Sequence, residues 1–196
     1  MISILKYPAG NLRSVINALE RLGVSPTITD DPDLLRQSSH VIIPGQGEAA
    51  TTMAYLREKH LDEVILSLRQ PVLGICIGMQ LFCKHSDEGD TTCLGIFDDA
   101  TVTRFTPGAE RLKVPHMGWN GLNNLNGKLF EGISEGEQAY FVHSYRVEQS
   151  KYAIALTDYP TPFVSALNRD NFYATQFHPE KSGSVGERLI RNFISI

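Results

Sequence analysis

The part of the chain up to residue 75 alternates short strand-like segments with stretches of helical periodicity, and this alternation constrains the fold more than any other feature. Residues 2–7, 26–29, 40–43 and 72–75 have the composition and length of strands. Between them, apolar residues recur every three or four positions, as they do on one face of a helix. Largely apolar strands that alternate with helices predict a parallel sheet covered on both faces.

Local signals define where these helices begin and end. Asn11 and Asp31 are residue types that cap helix N-termini, and Pro32 fits the first helical position after Asp31. Gly23 ends the first helical pattern. The predicted helices of this part cover residues 12–22, 49–58 and 61–70, with a further helix beginning at Pro32.

After about residue 90 the pattern changes to short β-type segments separated by Gly, Asn and Pro, which is typical of antiparallel strands and hairpins. The predicted strands are 101–105, 121–122, 139–145, 163–167 and 172–176, and a last helix covers 184–194. No linker or repeat divides the sequence. We therefore predict one α/β domain over residues 1–196, in which a central, mostly parallel sheet is flanked by helices and additional antiparallel strands occupy the C-terminal half.

Composition excludes several function classes. The net charge of −4 argues against a general nucleic-acid or membrane-surface binder, and no apolar run approaches the ~20 residues of a membrane span. The beginning of the chain has the pattern of a first strand rather than of a signal peptide. The three cysteines form no Cys-x-x-Cys pair, which predicts free thiols and a cytoplasmic location. The histidines lack ligand spacing, so we predict no metal site and interpret His116 as a packed structural residue.

The stretch VLGICIGMQ, residues 72–80, places Cys76 between Gly74 and Gly78 directly after an apolar strand. Small flanking residues let the backbone pass closely at a strand-to-helix turn, from which a nucleophile can project. The first N–H groups of the following helix would face a developing oxyanion. An isolated Gly-x-Cys-x-Gly is more often a buried structural cysteine, because a nucleophile also needs a base and a group that orients the base.

Two further motifs offer these groups. In QFHPE, residues 176–180, extended residues two apart share a face, so His178 and Glu180 are predicted side by side, with Glu180 orienting the imidazole toward the thiol. The PGQG loop, residues 44–47, follows the third strand, and its glycines permit close approach to a substrate. Each motif alone is more often a surface turn. Their combination with Cys76 on a parallel sheet favours catalysis.

Together these motifs resemble those of the class I, triad-type glutamine amidotransferases. The stretches LGICIGMQLF, VPHMGWN, YFVHSY and QFHPEKSG, with AGNLRSV and PGQG nearer the N-terminus, are similar to the glutaminase subunits of imidazole glycerol phosphate synthase. The similarity runs from about residue 11 to residue 193. It implies a flavodoxin-like three-layer fold, no cofactor, and ammonia release from glutamine for a cyclase partner in a heterodimer of histidine biosynthesis.

The resemblance also implies a role for individual residues. Cys76 would attack the side-chain amide of glutamine, His178 would act as the base, and Glu180 would orient His178. The oxyanion hole would consist of the backbone N–H of Ile77 and a second donor from the Gln46–Gly47 loop. The implied substrate-binding residues are Gly47, Gln80, Glu88, His143, Ser144 and Tyr145. The implied partner-interface residues are Asn11, Trp119, Tyr140 and Lys181.

Two positions depart from the family pattern. The first strand usually ends in an Asp-Tyr-Gly turn, where this chain has Lys6-Tyr7-Pro8, and the oxyanion loop usually carries an apolar residue where this chain has Gln46. One alternative with the same chemistry is a paralogue that supplies ammonia to another acceptor, such as a surface sugar. A second alternative is a catalytically silent regulatory subunit. For Trp119, burial in the core is the ordinary alternative to an interface role.

Overall fold

A computed structural model describes residues 1–8, 12–106 and 113–196, and its strands fall into one large sheet and one small one. The strands are β1 (Ile2–Leu5), β2 (Thr27–Thr29), β3 (His40–Ile43), β4 (Val72–Ile75), β5 (Cys83–Ser86), β6 (Thr91–Thr92), β7 (Phe97–Arg104), β8 (His116–Gly121), β9 (Gln138–His143), β10 (Tyr145–Val147), β11 (Ala153–Asp158), β12 (Pro162–Arg169) and β13 (Phe172–Thr175). The large sheet has the order β2-β1-β3-β4-β13-β12-β10-β7-β5-β6, with β11 pairing β12. β8 and β9 form the small sheet.

Six α-helices and two short 3-10 helices connect these strands within the described residues. The α-helices are α1 (Arg13–Arg21), α2 (Pro32–Gln37), α3 (Ala49–Glu58), α4 (Leu61–Ser67), α5 (Ile77–Phe82) and α6 (Gly183–Ile194). The 3-10 helices cover Lys128–Phe130 and Pro179–Lys181. The cap predicted for α2 is present, because the Asp31 side chain accepts the N–H groups of Asp33 and Leu34 at 2.8 and 3.2 Å.

The half of the large sheet that contains β4 is parallel. β1 pairs in parallel with β2 and β3, β3 pairs with β4, and β4 pairs with β13. The carboxyl ends of these strands therefore meet at one edge, where ligands bind in open α/β sheets. Beyond β13 the pairing becomes antiparallel, through β12, β10 and β7.

Helices cover both faces of the parallel half. Successive side chains of a strand point to opposite faces of the sheet, so apolar side chains on both faces need a layer that buries them. Ile42 packs in one buried cluster with Leu19 of α1 and Leu189 of α6. Its neighbours in β3, Val41 and Ile43, pack in the other cluster, which includes residues of α3, α4 and α5. This three-layer arrangement confirms the predicted fold class.

Several predicted boundaries are wrong, mostly in the C-terminal half. The helix predicted over 61–70 ends at Ser67, and the strand predicted at 121–122 is instead His116–Gly121. β5, β6 and β11 were not predicted. These segments are short or polar on one side, so their own pattern is weak and their strand conformation depends on pairing with β7 and β12. Asn11, the predicted cap of α1, lies outside the described residues, and no helix in the described ranges is long and apolar enough to cross a membrane.

Candidate active site

Cys76 occupies the tight turn that joins β4 to α5. Its backbone has φ 50° and ψ −102°, a region that side-chain-bearing residues rarely adopt and that costs of order 1–3 kcal/mol. The flanking glycines make the turn sterically feasible. A Cβ on Gly74 would lie 2.7 Å from the carbonyl carbon of Gly78, and one on Gly78 would lie 2.5 Å from the Ile43 oxygen. The Gly-x-Cys-x-Gly pattern thus has a packing reason at both glycines.

The PGQG loop packs directly against this turn. A Cβ on Gly45 would lie 3.0 Å from Cys76 Cβ and 3.1 Å from His178 Cε1. Gly45 therefore allows the loop, the cysteine and the histidine to meet without an intervening side chain.

His178 and Glu180 form a buried pair, as the sequence predicts. His178 Nδ1 lies 2.8 Å from Glu180 Oε1, and His178 is also hydrogen-bonded to Cys76. The predicted reason for the pairing is wrong, because Pro179–Lys181 is a turn of 3-10 helix rather than extended chain. The tight turn, and not a strand alternation, brings Glu180 back toward the imidazole.

The charges around His178 favour its protonated form. Burial by itself would lower the pKa of His178, but hydrogen bonds to Cys76 and Glu180 and the negative charge of both raise this pKa to about 10. The geometry therefore places a protonated imidazole between the Cys76 sulfur and the Glu180 carboxylate.

A cavity of about 400 Å³ opens above this trio. It brings together Cys76 and His178 with the residues predicted to bind substrate or oxyanion, and Lys181 also borders it. Those residues are Gln46, Gly47, Ile77, Gln80, Glu88, His143, Ser144 and Tyr145. Ile77 is the first residue of α5, so its N–H has no carbonyl partner within the helix.

Two polar side chains of the cavity are already held by the protein. Glu88 Oε2 accepts the N–H of Ala49 at the start of α3 at 2.7 Å, and partial burial raises the pKa of Glu88. Gln80 Nε2 lies 3.1 Å from Gln176 Oε1 and 3.5 Å from the Tyr145 oxygen. Both groups are thus fixed at the cavity wall before any ligand is bound.

The side chain of His143 is engaged inside the protein. Its Nδ1 lies 2.7 Å from the Tyr145 oxygen and its Nε2 lies 2.9 Å from His116 Nδ1. Burial lowers the pKa of His143 to about 3 and that of His116 to about 4, so both are neutral near pH 7. Any contact of His143 with a ligand must therefore come from its backbone. His116 stacks on Tyr159 at 3.8 Å, in keeping with a structural role.

The hydroxyl of Tyr7 is hydrogen-bonded to two backbone groups of the PGQG loop. It donates to the Pro44 oxygen at 2.5 Å and is hydrogen-bonded by the backbone N–H of Gln46. Burial raises the pKa of Tyr7 above its ordinary value, so the hydroxyl keeps its proton. In this arrangement the N–H of Gln46 is directed to Tyr7.

Three of the four predicted interface residues form a cluster beside the cavity. Trp119 is 54% exposed and packs edge-on against Tyr140, with ring centroids 6.1 Å apart. Lys181 Nζ lies 6.0 Å from the Tyr140 ring centroid. Trp119 is thus a surface residue and not part of the core. The fourth residue, Asn11, lies outside the described residues.

The comparisons with known proteins agree on one family. The family described as glutamine amidotransferase class-I matches residues 5–196. The chain belongs to the class-I glutamine amidotransferase family. It is 56% identical over 195 residues to imidazole glycerol phosphate synthase subunit HisH of Bacteroides thetaiotaomicron, covering 100% of this chain and 99% of that one. The corresponding subunit of Yersinia pseudotuberculosis is 43% identical over 197 residues, with 100% and 99% coverage.

Solved structures agree at the level of the fold. A crystal structure of a glutamine amidotransferase superposes with a TM-score of 0.76 at 20% identity and covers 99% of this chain and 97% of that one. PurLQS from Thermotoga maritima superposes with a TM-score of 0.71 at 16% identity, with coverage of 99% and 97%. The predicted family and the predicted enzyme class, a glutamine amidotransferase, are confirmed.

Two residues of this amidotransferase site were not given a role from the sequence. In the sequence Tyr7 stands out only as part of an unusual turn, although its place at the carboxyl end of an apolar strand is a usable signal. Gln176 belongs to the QFHPE motif, which by itself indicates no function for this residue. It is buried, and its Nε2 lies 3.5 Å from Cys76 Sγ. Its position two residues before His178 at a strand end could have indicated a shared face.

No cluster of three or more His, Cys, Asp or Glu side chains in the described ranges has the arrangement of a metal site.

We predict that His178→Ala slows glutamine hydrolysis more than Glu180→Ala does. The imidazole transfers the proton, whereas the carboxylate orients and stabilises it. General acid–base assistance contributes about 10²–10⁴-fold, so a loss in this range is expected for His178→Ala in steady-state assays. Glu187→Ala on the exposed side of α6 is the control. Near-wild-type rates for both site variants would remove the pair from the mechanism.

Proposed function

We propose that this amidotransferase hydrolyses glutamine to glutamate and ammonia with Cys76, His178 and Glu180 as a catalytic triad. The observation that carries the proposal is the continuous contact from Glu180 through His178 to Cys76, with the cysteine on a strained turn at the cavity. The relatives named HisH support placing this reaction in imidazole glycerol phosphate synthase. The intact triad geometry makes a catalytically silent subunit the weaker alternative.

The first half of the reaction forms a thioester. The thiolate of Cys76 attacks the side-chain amide carbon of glutamine, and the carbonyl electrons move onto its oxygen. The free N–H of Ile77 is placed to stabilise this oxyanion. As the tetrahedral intermediate collapses, the C–N bond breaks, and His178 gives its proton to the leaving nitrogen, which departs as ammonia.

The second half releases glutamate. His178, now neutral, takes a proton from water, and the resulting hydroxide attacks the γ-glutamyl thioester. Collapse of the second tetrahedral intermediate breaks the C–S bond and restores the thiolate. Throughout the cycle Glu180 accepts a hydrogen bond from His178 Nδ1 and so keeps the other ring nitrogen directed toward Cys76.

The remaining cavity residues would position the substrate. The carboxylate of Glu88 suits the α-ammonium group of glutamine, because a cation would compensate a partly buried negative charge. Gln80 and the backbone of Gly47 would face the substrate amide, and the backbone of residues 143–145 would bound its α end.

The ammonia would pass to a cyclase subunit in a heterodimer, which would make imidazole glycerol phosphate and the purine intermediate AICAR in histidine biosynthesis. The exposed cluster of Trp119, Tyr140 and Lys181 beside the cavity is the surface that we assign to this partner. The free thiols of Cys76, Cys83 and Cys93 fit a cytoplasmic protein.

The test of the proposed function uses the complex with the cyclase subunit encoded by the same organism. Cys76→Ser should abolish synthesis from glutamine but leave synthesis from ammonium salts intact, because the thiol acts only on glutamine. Both rates are measured by formation of AICAR, with Cys93→Ser as the control. Glutamine-dependent turnover that survives in Cys76→Ser, or loss of the ammonia-dependent reaction, would contradict the proposal.

We expect hydrolysis without the partner to be slow, and the contacts of the Tyr7 hydroxyl provide the reason. An N–H that is bonded to Tyr7 cannot at the same time stabilise an oxyanion, and one missing donor costs about 10²–10³-fold in rate. Rotation of the peptide before Gln46 would supply this donor, and the adjacent Gly45 and Gly47 make such a rotation sterically inexpensive. Binding of the partner and its substrate would have to favour the rotated state by a comparable free energy.

We predict that Tyr7→Phe raises the hydrolysis rate of the free subunit about 10-fold or more and reduces the activation by the partner. The phenyl ring keeps the packing but releases the N–H of Gln46.

Gln46→Pro, which removes that N–H, should instead abolish most of the activation and leave the basal rate little changed. Tyr55→Phe, whose hydroxyl contacts Asp30, is the matched control. A free wild-type subunit that already hydrolyses glutamine at the activated rate would refute the loop switch.

We predict that Trp119→Ala weakens binding of the cyclase subunit while the free subunit stays folded. Buried aromatic anchors of interfaces contribute about 2 kcal/mol or more, which corresponds to about 30-fold in Kd by calorimetry. Leu66→Ala is the control, because Leu66 is 49% exposed on α4. A Kd equal to that of wild type would place the interface elsewhere, and a strongly lowered melting temperature by circular dichroism would indicate a structural role.

A further inference from the structure

Gln176 is a buried amide beside the nucleophile that the triad mechanism does not use. It has no exposed surface and follows β13, and its backbone N–H is bonded to the Ser165 oxygen at 2.9 Å. Its side chain extends to Cys76, with Nε2 3.5 Å from Sγ. Burying an amide is costly unless its polar atoms are paired, so the identity of these partners matters.

The neighbouring groups fix which end of the amide faces the sulfur. The backbone oxygen of Tyr145 can only accept a hydrogen bond, so the side-chain nitrogen of Gln80, and not its oxygen, must face Tyr145. The same nitrogen lies 3.1 Å from the oxygen position of Gln176, which must therefore be an acceptor there. The nitrogen of Gln176 is then the atom at Cys76 Sγ. The orientation of the Gln176 amide thus follows from matching donors with acceptors from Tyr145 through Gln80 to Gln176.

The other neighbours of the sulfur do not offer a neutral donor of this kind. The Val142 oxygen lies 3.9 Å from Sγ and can accept from a thiol but would repel a thiolate. His178 is bonded to the sulfur and to Glu180. Tyr7 is close enough to interact electrostatically with Cys76, and Glu88 and Lys181 line the same cavity. Only His178 changes its own charge during the reaction, whereas an amide donor persists when His178 has given its proton away.

We propose that Gln176 donates a hydrogen bond to the thiolate of Cys76 and that Gln80 orients it for this task. The proposal rests on Cys76 being the nucleophile and deepens that assignment. Its consequence is that the sulfur remains stabilised as an anion in steps where His178 is neutral, such as the return of the thiolate when the thioester is cleaved. A donor to the charged form favours that form over the thiol.

The test is the pH dependence of Cys76 alkylation by iodoacetamide in the full chain, read by peptide mapping so that Cys83 and Cys93 are followed separately. Gln176→Met keeps the length of the side chain and removes the donor. Gln176→Glu keeps the shape and the acceptor for Gln80 but places a carboxylate beside the sulfur. Gln70→Met is the matched control, because Gln70 donates to the Leu35 oxygen away from the site.

The midpoint of the wild-type alkylation profile should move to higher pH by about one to two pH units in Gln176→Met, as expected for loss of a hydrogen bond to a charged group. It should move further in Gln176→Glu and stay unchanged in Gln70→Met. The kcat for glutamine should fall about 10-fold or more in Gln176→Met, with a smaller change in KM. An unshifted midpoint in Gln176→Met, even with a lowered melting temperature, would reduce Gln176 to a packing residue and overturn the proposal.

This outcome is separable from failure of the proposed function. Alkylation reports the sulfur itself and requires no turnover, whereas the triad assignment stands or falls with glutamine-dependent synthesis in Cys76→Ser. If Gln176→Met fails to fold, Gln176→Leu, which also removes the donor without adding a charge, decides in its place.

Discussion

The parallel pairing of β4 with β13 is the interaction on which the site depends. Thr175 lies opposite Ile75 in the register, and the N–H of Cys76 is bonded to the Thr175 oxygen at 2.7 Å. The two strands therefore end at the same edge and deliver Cys76 and the segment 176–180 side by side, although Cys76 and Gln176 are 100 residues apart in sequence. A shift by one residue in this register would turn the side chains of one strand to the opposite face.

The neighbours of the buried histidines divide these residues into two kinds. His178 has anionic neighbours and a raised pKa, so it is charged when the site is at rest. His143 and His116 have each other and backbone groups as neighbours, and their lowered pKa values keep them neutral. The same residue type is therefore suited to acid–base chemistry in one position and is a neutral hydrogen-bonding element of the cavity wall in the other. The difference lies in the partners and not in the degree of burial.

The sequence predicts the parallel half of the fold well, because most of its strands are short apolar runs and most of its helices carry their own apolar periodicity. The bounds of α3, β3 and β4 agree with the prediction, and Asp31 caps α2 as expected. The C-terminal half is less predictable. β8 contains two glycines and an exposed tryptophan, and it is a strand because β9 pairs with it along its length.

The residues of the candidate site likewise divide into those that the sequence predicts and those that it does not. Cys76, His178 and Glu180 could be chosen from residue type and motif, since their chemistry is characteristic. Tyr7 and Gln176 contact residues remote in the chain, and the local sequence indicates their place at a strand end but not their partners. The turn that carries Glu180 is a further case, because its 3-10 geometry follows from packing against α6, where a Cβ on Gly186 would lie 1.8 Å from the Pro179 oxygen.

The central claim is that Cys76 forms a covalent bond to glutamine. It is tested most directly by mixing the complex with glutamine, quenching with acid within one turnover and mapping the peptides by mass spectrometry. The account predicts a γ-glutamyl group on the peptide that contains Cys76 and none on those of Cys83 and Cys93. A glutamyl group on either of the other two cysteines, or full turnover with no adduct on Cys76 at any time, would contradict it.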